Sequence, residues 1–158
     1  MSLRSRLLAG SVSFDAVVTA DYGDELYTFT MNCQTDAQGK VRFTVTEPQT
    51  ISGIAGTIDA AGGKLHFDDQ VLSFPLMADD QLSPVSAPWI LMRTLRSGYL
   101  TSAGQEGEYL RLSIDDSYDD DALHLDIWLD SSDQPVRGEV LWQGRRLLSI
   151  EVKNFTFL

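Results

Sequence analysis

From Ser11 onward the chain alternates. Val12, Phe14, Ala16 and Val18 fall on one side of an extended backbone, with Ser13, Asp15 and Thr19 on the other. A period of two is that of a strand with one buried and one wet face. "YGDE" then supplies turn residues, and Tyr27, Phe29, Met31 and Cys33 oppose Thr28, Thr30 and Asn32. After the turn "TDAQGK", Val41, Phe43 and Val45 oppose Arg42, Thr44 and Thr46, until Pro48, with no N–H for a ladder, stops the strand. "TISGIAGTIDAAGGKLHFDDQVLSF" reads as three short strands marked by Ile54 and Ile58, by Leu65 and Phe67, and by Leu72, Phe74 and Leu76. Gly53 and Gly56 are expected to bend the first of these or admit a close neighbour. The last third repeats the pattern through Leu110–Ile114, Leu123–Leu129, Val136–Trp142 and Leu148–Val152, with "SSDQ" and "QGR" as hairpin connections.

Two stretches break the alternation. Leu3, Leu7 and Leu8 recur at helical spacing, predicting a short helix over 2–9 that Gly10 ends. "SAPWILMRTLRSG", residues 86–98, predicts a longer one: Ser86 or Ala87 at its start, Pro88 in the first turn, Gly98 at its end and Arg93 and Arg96 towards the C-terminal end. Leu91, Met92 and Leu95 make its apolar stripe and Arg93, Arg96 and Ser97 its polar one, with Trp89 near the polar side and Ile90 beside the stripe. Burying the stripe contributes roughly 1.5–3 kcal/mol per side chain. The expected fold class is therefore mainly β (α+β), a curled antiparallel half-barrel of about ten to eleven strands with a short N-terminal helix and an inserted lid helix. So many two-faced strands cannot stay flat, and their concave apolar face must be filled or covered. With no repeat or linker, residues 1–158 are expected to form one domain.

Charge and composition narrow the function. Twelve basic against 23 acidic residues give a formal net charge of −11, with no basic stripe, so nucleic acid is not an expected partner. A membrane of anionic lipid would repel this surface unless a covalent anchor held it. Cys33 is the only cysteine, which rules out an internal disulfide and a thiolate metal site, and it reads as a half-buried structural thiol. The apolar "LLAG" near the start is far too short for a signal-peptide core, and no stretch is long and apolar enough to span a bilayer.

No catalytic constellation emerges, and no cofactor or metal is expected. "DDSYDDDA", with Asp115, Asp116, Asp119, Asp120 and Asp121, lacks the glycine and the glutamate of an EF-hand and reads as a solvated hairpin tip. His66 and His124 sit on polar sides of separate strands, without further ligands at metal-binding spacing. "GQEGEY" and "GIAG" do not join a parallel strand to a helix, as phosphate binding demands. There is no G-x-S-x-G elbow and no pair of carboxylates that stands out from the many. Trp142 follows the inward register of Val136 and Val140, whereas Trp128 shares the wet face of His124, Asp126 and Asp130. Trp128 and Trp89 are the candidate interface residues.

The order of elements resembles the LolA-like lipoprotein-carrier superfamily, and more closely its Gram-positive lipoprotein branch, which includes spore-germination lipoproteins. The likeness is carried by the strand ending in "VTEPQTISG", the "GGKLHFDD" hairpin and the Ser-Pro-led helix "SPVSAPWILMRTL" between the sheet halves. It implies a half-barrel of about eleven strands covered by helices, outside the cytoplasm, on a lipid anchor attached upstream of this sequence. In the carriers of the family an arginine of an Arg-Pro pair holds the lid shut. Here the corresponding region reads "DAQGKVRF", and Arg42 alternates away from Val41 and Phe43, so that shuttle mechanism is not expected. The expectation is a non-enzymatic extracytoplasmic domain that binds a hydrophobic or acylated ligand. Its candidate lining is Phe14, Phe29, Met31, Phe43, Phe67 and Phe74 under Leu91, Met92 and Leu95. The alternative is a structural or regulatory lipoprotein acting through protein contacts, including a homodimer.

Overall fold

A computed structural model describes residues 3–21, 26–67, 70–74, 77–78, 81–82, 84–116 and 122–158, and for residues 50, 65–67, 70–74, 77–78, 81–82 and 84 the backbone alone. Helix α1 (Leu3–Ala9) precedes strands β1 (Val12–Asp21), β2 (Leu26–Thr35), β3 (Val41–Glu47), β4 (Ala55–Asp59), β5 (Gly62–Phe67) and β6 (Gln70–Phe74). The two-residue strands β7 (Met77–Ala78) and β8 (Gln81–Leu82) pair only with each other. Helix α2 (Ala87–Ser97) follows, then β9 (Tyr99–Glu106), β10 (Tyr109–Asp115), β11 (Leu123–Leu129), β12 (Pro135–Trp142) and β13 (Arg145–Phe157).

Eleven strands form one antiparallel sheet in the order β6-β5-β4-β3-β2-β1-β13-β12-β11-β10-β9. The first and last long strands pair at its centre, from Val12 opposite Phe157 to Ala20 opposite Leu148. Consequently β6 and β9, the two edges, are adjacent in sequence apart from the segment that holds α2. The chain has to cross from one edge of the sheet to the other, and α2 is that crossing. Its position over the trough follows from the topology as much as from its own apolar stripe.

The sheet curls. Register shifts interrupt the ladders of β1–β13, β2–β3, β9–β10, β11–β12 and β12–β13, and each extra residue bends and twists its strand. Alternation then sorts the faces. In β1, Val12, Phe14, Ala16, Val18 and Ala20 are buried while their neighbours stay partly open. The core is the concave face plus α2: Met31, Cys33, Val41, Phe43 and Ile58 on one side, Ile114, Leu125, Ile127, Val140, Leu148 and Ile150 on the other. Cys33 is fully buried rather than half-buried, and that burial, with the charge of Asp15, pushes its thiol far above the ordinary range.

Strand β9 lies outside the alternating pattern. All eight of its residues are exposed, so "YLTSAGQE" offers no apolar period, and sequence reasoning finds no strand there. The turn "YGDE" and the acidic tip 117–121 lie outside the described residues. The turn after β2 is as expected: Asp36 Oδ1 accepts the N–H groups of Gln38 and Lys40 at 3.0 Å each, and Gly39 takes a φ of 92°.

Candidate functional site: a covered trough and its outer face

Helix α2 is buried almost all round. Leu91, Met92 and Leu95 are buried as the stripe predicts, but Trp89 and Ile90 are buried too, and Arg93 and Ser97 are its exposed residues. The amphipathic pattern understates the cover because α1 packs against α2. Trp89, expected near the polar side, is 6% exposed beneath the guanidinium of Arg93, whose carbon stands 5.2 Å from the ring centroid.

Two close approaches seat the helix on the C-terminal half of the sheet. A Cβ at Gly138 of β12 would stand 3.2 Å from Leu91 Cδ1, so the missing side chain is the seat of Leu91. A Cβ at Gly98 would meet Ile114 Cγ2 at 2.5 Å. Gly98 has a φ of −73° and a ψ of 171°, extended backbone rather than a left-handed cap, so glycine serves packing here and not the conformation expected of a helix end.

Two arginines fasten the end of α2, and a threonine bonds within it. Arg4 of α1 donates from Nε to the Leu95 carbonyl and from Nη2 to the Gly98 carbonyl, both at 2.9 Å, satisfying carbonyls that a helix terminus leaves open. Thr94 Oγ1 donates to the Ile90 carbonyl at 2.7 Å. Arg96, read from sequence as a wet-face residue, turns into the protein and donates from Nη2 to the Ala37 carbonyl in the β2–β3 turn. Its Nη1 occupies the space beside Gly39 that any Cβ there would fill. Its Nε is buried without a partner, a polar group that α2 tolerates for the sake of this contact. Arg42 points outwards, as alternation requires, so the fastening arginines come from the helices and not from the sheet.

Of the expected lining residues, Phe14, Phe29, Met31, Phe43, Leu91, Met92 and Leu95 all belong to one buried cluster, each no more than 8% exposed. The side chains of Phe67 and Phe74 lie outside the described residues. The trough is packed beneath α2 and opens beyond it. On β10, Leu110 and Leu112 are only partly buried, and Leu100 of β9, opposite Ile114 on the same face, is 59% exposed. Ala103, opposite Leu112, continues this apolar surface to the sheet edge.

The outer face of the C-terminal half carries a polar network that the sequence did not reveal. Asp126, nearly buried, accepts from Arg111 Nη2 at 2.9 Å and Ser113 Oγ at 2.7 Å and contacts His124 Nε2 at 3.2 Å. His124 also meets Asp115 through Nδ1 at 2.8 Å. Desolvation works to raise the Asp126 pKa, but the bonds from Ser113 and Arg111 and the charges of Arg111 and His124 outweigh it, holding the carboxyl below its usual range. Trp128, expected partly exposed, is 8% exposed: Arg111 and Arg137 lie over its ring at 5.3 and 4.8 Å, and its indole N–H donates to Glu106 Oε2 at 3.2 Å. Trp142, expected in the core, is partly buried and packs against it. Two depressions mark the outer side of the sheet, a polar one on this half and one of mixed lining on the N-terminal half. One of about 430 Å³ lies along β9 beside Arg111 and Ser113. Another, of about 390 Å³, lies over Asn32, Arg42, Thr44 and Thr57. The His66 side chain is outside the described residues.

No protein-family model matches the chain, and no curated protein matches it either. Solved structures do. An uncharacterized conserved protein from Thermus thermophilus is 14% identical with a TM-score of 0.54, the match covering 98% of this chain and 83% of that one. A chain of the complex between the CwlD amidase of Clostridioides difficile and the GerS lipoprotein is 13% identical with a TM-score of 0.52, covering 94% and 87%. The LolA superfamily protein NE2245 from Nitrosomonas europaea is 10% identical with a TM-score of 0.49, covering 100% and 94%. At such identities what is shared with the Thermus and Clostridioides structures is architecture alone, a curled antiparallel half-barrel crossed by an inserted helix.

Proposed function

We propose that the chain is a single, non-enzymatic LolA-like domain of an extracytoplasmic lipoprotein, and that it holds a hydrophobic or acylated ligand on its concave face. The observation that supports this reading most directly is the open end of the trough. Leu100, Ala103, Leu110 and Leu112 extend the buried apolar surface past α2 and leave it uncovered, whereas single exposed apolar residues elsewhere need no explanation. The entrance would lie between α2 and β9–β10. The deeper chamber would form where Leu91, Met92 and Leu95 meet Phe14, Phe29, Met31 and Phe43, once α2 shifts. Met92 and Met31 suit such a chamber, since unbranched thioether side chains repack at little cost.

The alternative, a regulatory lipoprotein that works through protein contacts, draws support from the outer face, where Trp128 sits under two arginines beside the β9 depression. Among the similar structures, the GerS lipoprotein is in complex with an amidase.

Titration with a fluorescent long-chain fatty acid tests the first reading. Leu112→Asp and Leu100→Asp place a carboxylate on the concave face and are expected to weaken uptake at least tenfold, since a buried unpaired charge costs several kcal/mol. Ser102→Asp, on the outer face of the same strand, should bind like the wild type. Equal affinity in all three, or no uptake by the wild type, would overturn the assignment.

A further inference from the structure

Strand β9 ends the sheet. Among the described residues it pairs only with β10, so its other edge presents backbone N–H and C=O groups with no strand beside them. Sheet edges of this kind are commonly blocked by lysine, proline or inward-pointing charge. "YLTSAGQE" carries none of these, and Glu106 alone is charged. We infer that β9 is a dimerisation strand, pairing antiparallel with β9 of a second copy of this chain about a twofold axis at Gly104.

The register follows from which face each residue occupies. Ser102 and Gly104 lie opposite Ser113 and Arg111 on the outer face, and Ala103 and Gln105 lie opposite Leu112 and Leu110 on the inner one. Residues directly opposed in an antiparallel pair share a face. An axis falling between two residues would set Ser102 against Ala103, outer against inner. An axis at Ala103 would run into the register shift near Thr101, and one at Gln105 into the turn at Gly107. Gly104 on the axis pairs all of 102–106: Ser102 with Glu106 of the second copy, Ala103 with Gln105, Gly104 with itself. No like charges are opposed.

Charge explains why a second copy can approach here. The chain as a whole carries −11 and repels its own kind. Nearest this edge that repulsion is reduced, because Arg111 pairs with both Glu106 and Asp126. Small side chains from Thr101 to Gly104 let the backbones come to pairing distance. The pairing makes one continuous sheet of the two protomers and brings their open apolar ends, Ala103 and Leu112, side by side. It does not depend on whether the trough holds a ligand.

Gly104 provides the test, since a Cβ there meets nothing within 4 Å and its backbone suits any residue. Analytical ultracentrifugation should show a concentration-dependent dimer for the wild type. Gly104→Lys, which sets two ammonium groups face to face on the axis, should keep the circular dichroism spectrum and raise the dimer dissociation constant about tenfold or more. Gly104→Cys should form a disulfide-linked dimer under mild oxidation, because opposed Cα atoms stand about 4.5–5.5 Å apart, within disulfide reach. Native Cys33 is buried and will not compete. Ser132→Cys, on the exposed β11–β12 turn, should link far more slowly. A wild type that stays monomeric at several hundred micromolar would overturn the proposal. So would a dimer indifferent to Gly104→Lys, or equal linking by the two cysteine variants. Fatty-acid uptake, read separately, reports on the trough alone.

Discussion

Leu91 and Gly138 form the contact on which the seating of α2 rests, and a double-mutant cycle measures it. Leu91 is fully buried, and its Cδ1 would stand 3.2 Å from a Cβ at position 138. Leu91→Ala removes the knob and leaves a void over β12. The expected cost is about 2–5 kcal/mol, or a fall in Tm of roughly 5–15 °C for a chain of this size. Gly138→Val pushes two methyl groups into the space Leu91 occupies, and overpacking costs about 1–3 kcal/mol, partly offset by the better fit of valine to a strand. In the double variant valine fills the void that alanine leaves. The combined loss should therefore fall short of the sum of the single losses by at least about 1 kcal/mol. Urea unfolding, followed in parallel by far-ultraviolet circular dichroism and tryptophan fluorescence, gives the four free energies. Losses that add to within about 0.5 kcal/mol would refute the seating of α2 on β12, because residues out of contact behave additively.

Two further outcomes follow from the polar contacts. Arg96→Met keeps the apolar stem and removes the guanidinium from the Ala37 carbonyl. Stability should fall by about 1 kcal/mol, the loss of a charge-assisted bond being reduced by relief of the partnerless Nε, and amide exchange should quicken in the turn 36–40; unchanged exchange there would contradict the fastening. Asp126 has a folded pKa below its unfolded value, so its contribution to stability is present above about pH 4 and is lost as pH falls through the lower folded value. The gap in stability between wild type and Asp126→Asn should shrink as the pH falls below about 4; a gap that widens over that acid range would show that the sign is wrong.

The sequence makes the central half of this fold plain and hides its margins, for physical reasons. β1, β2 and β3 are half-buried strands, so Val12 to Ala20, Phe29 to Cys33 and Val41 to Val45 print a period of two, and the structure keeps them in that phase. β9 is exposed on both faces, and its apolar residues, Tyr99, Leu100 and Ala103, do not fall at a period of two. The stretch "GQEGEY" thus looks like a glycine-containing loop although half of it is the sheet edge. Trp89 and Trp128 look wetter in the sequence than they are for a second reason: their covers are Arg93, Arg111 and Arg137, polar side chains that close over an indole ring. Burial of this kind depends on which strands become neighbours, a fact fixed by topology. Arg96 reaches a carbonyl 59 residues away, and nothing in a helix pattern distinguishes it from Arg93, which stays in solvent.

Native mass spectrometry of the protein, released from its own cells by mild detergent and sprayed without denaturation, addresses the central claim most directly. A hydrophobic ligand on the concave face predicts a discrete adduct of lipid or acyl-chain mass that survives transfer to the gas phase, depleted in Leu112→Asp and retained in Ser102→Asp. A bare chain mass in every preparation, or an adduct equally abundant in Leu112→Asp, would contradict it.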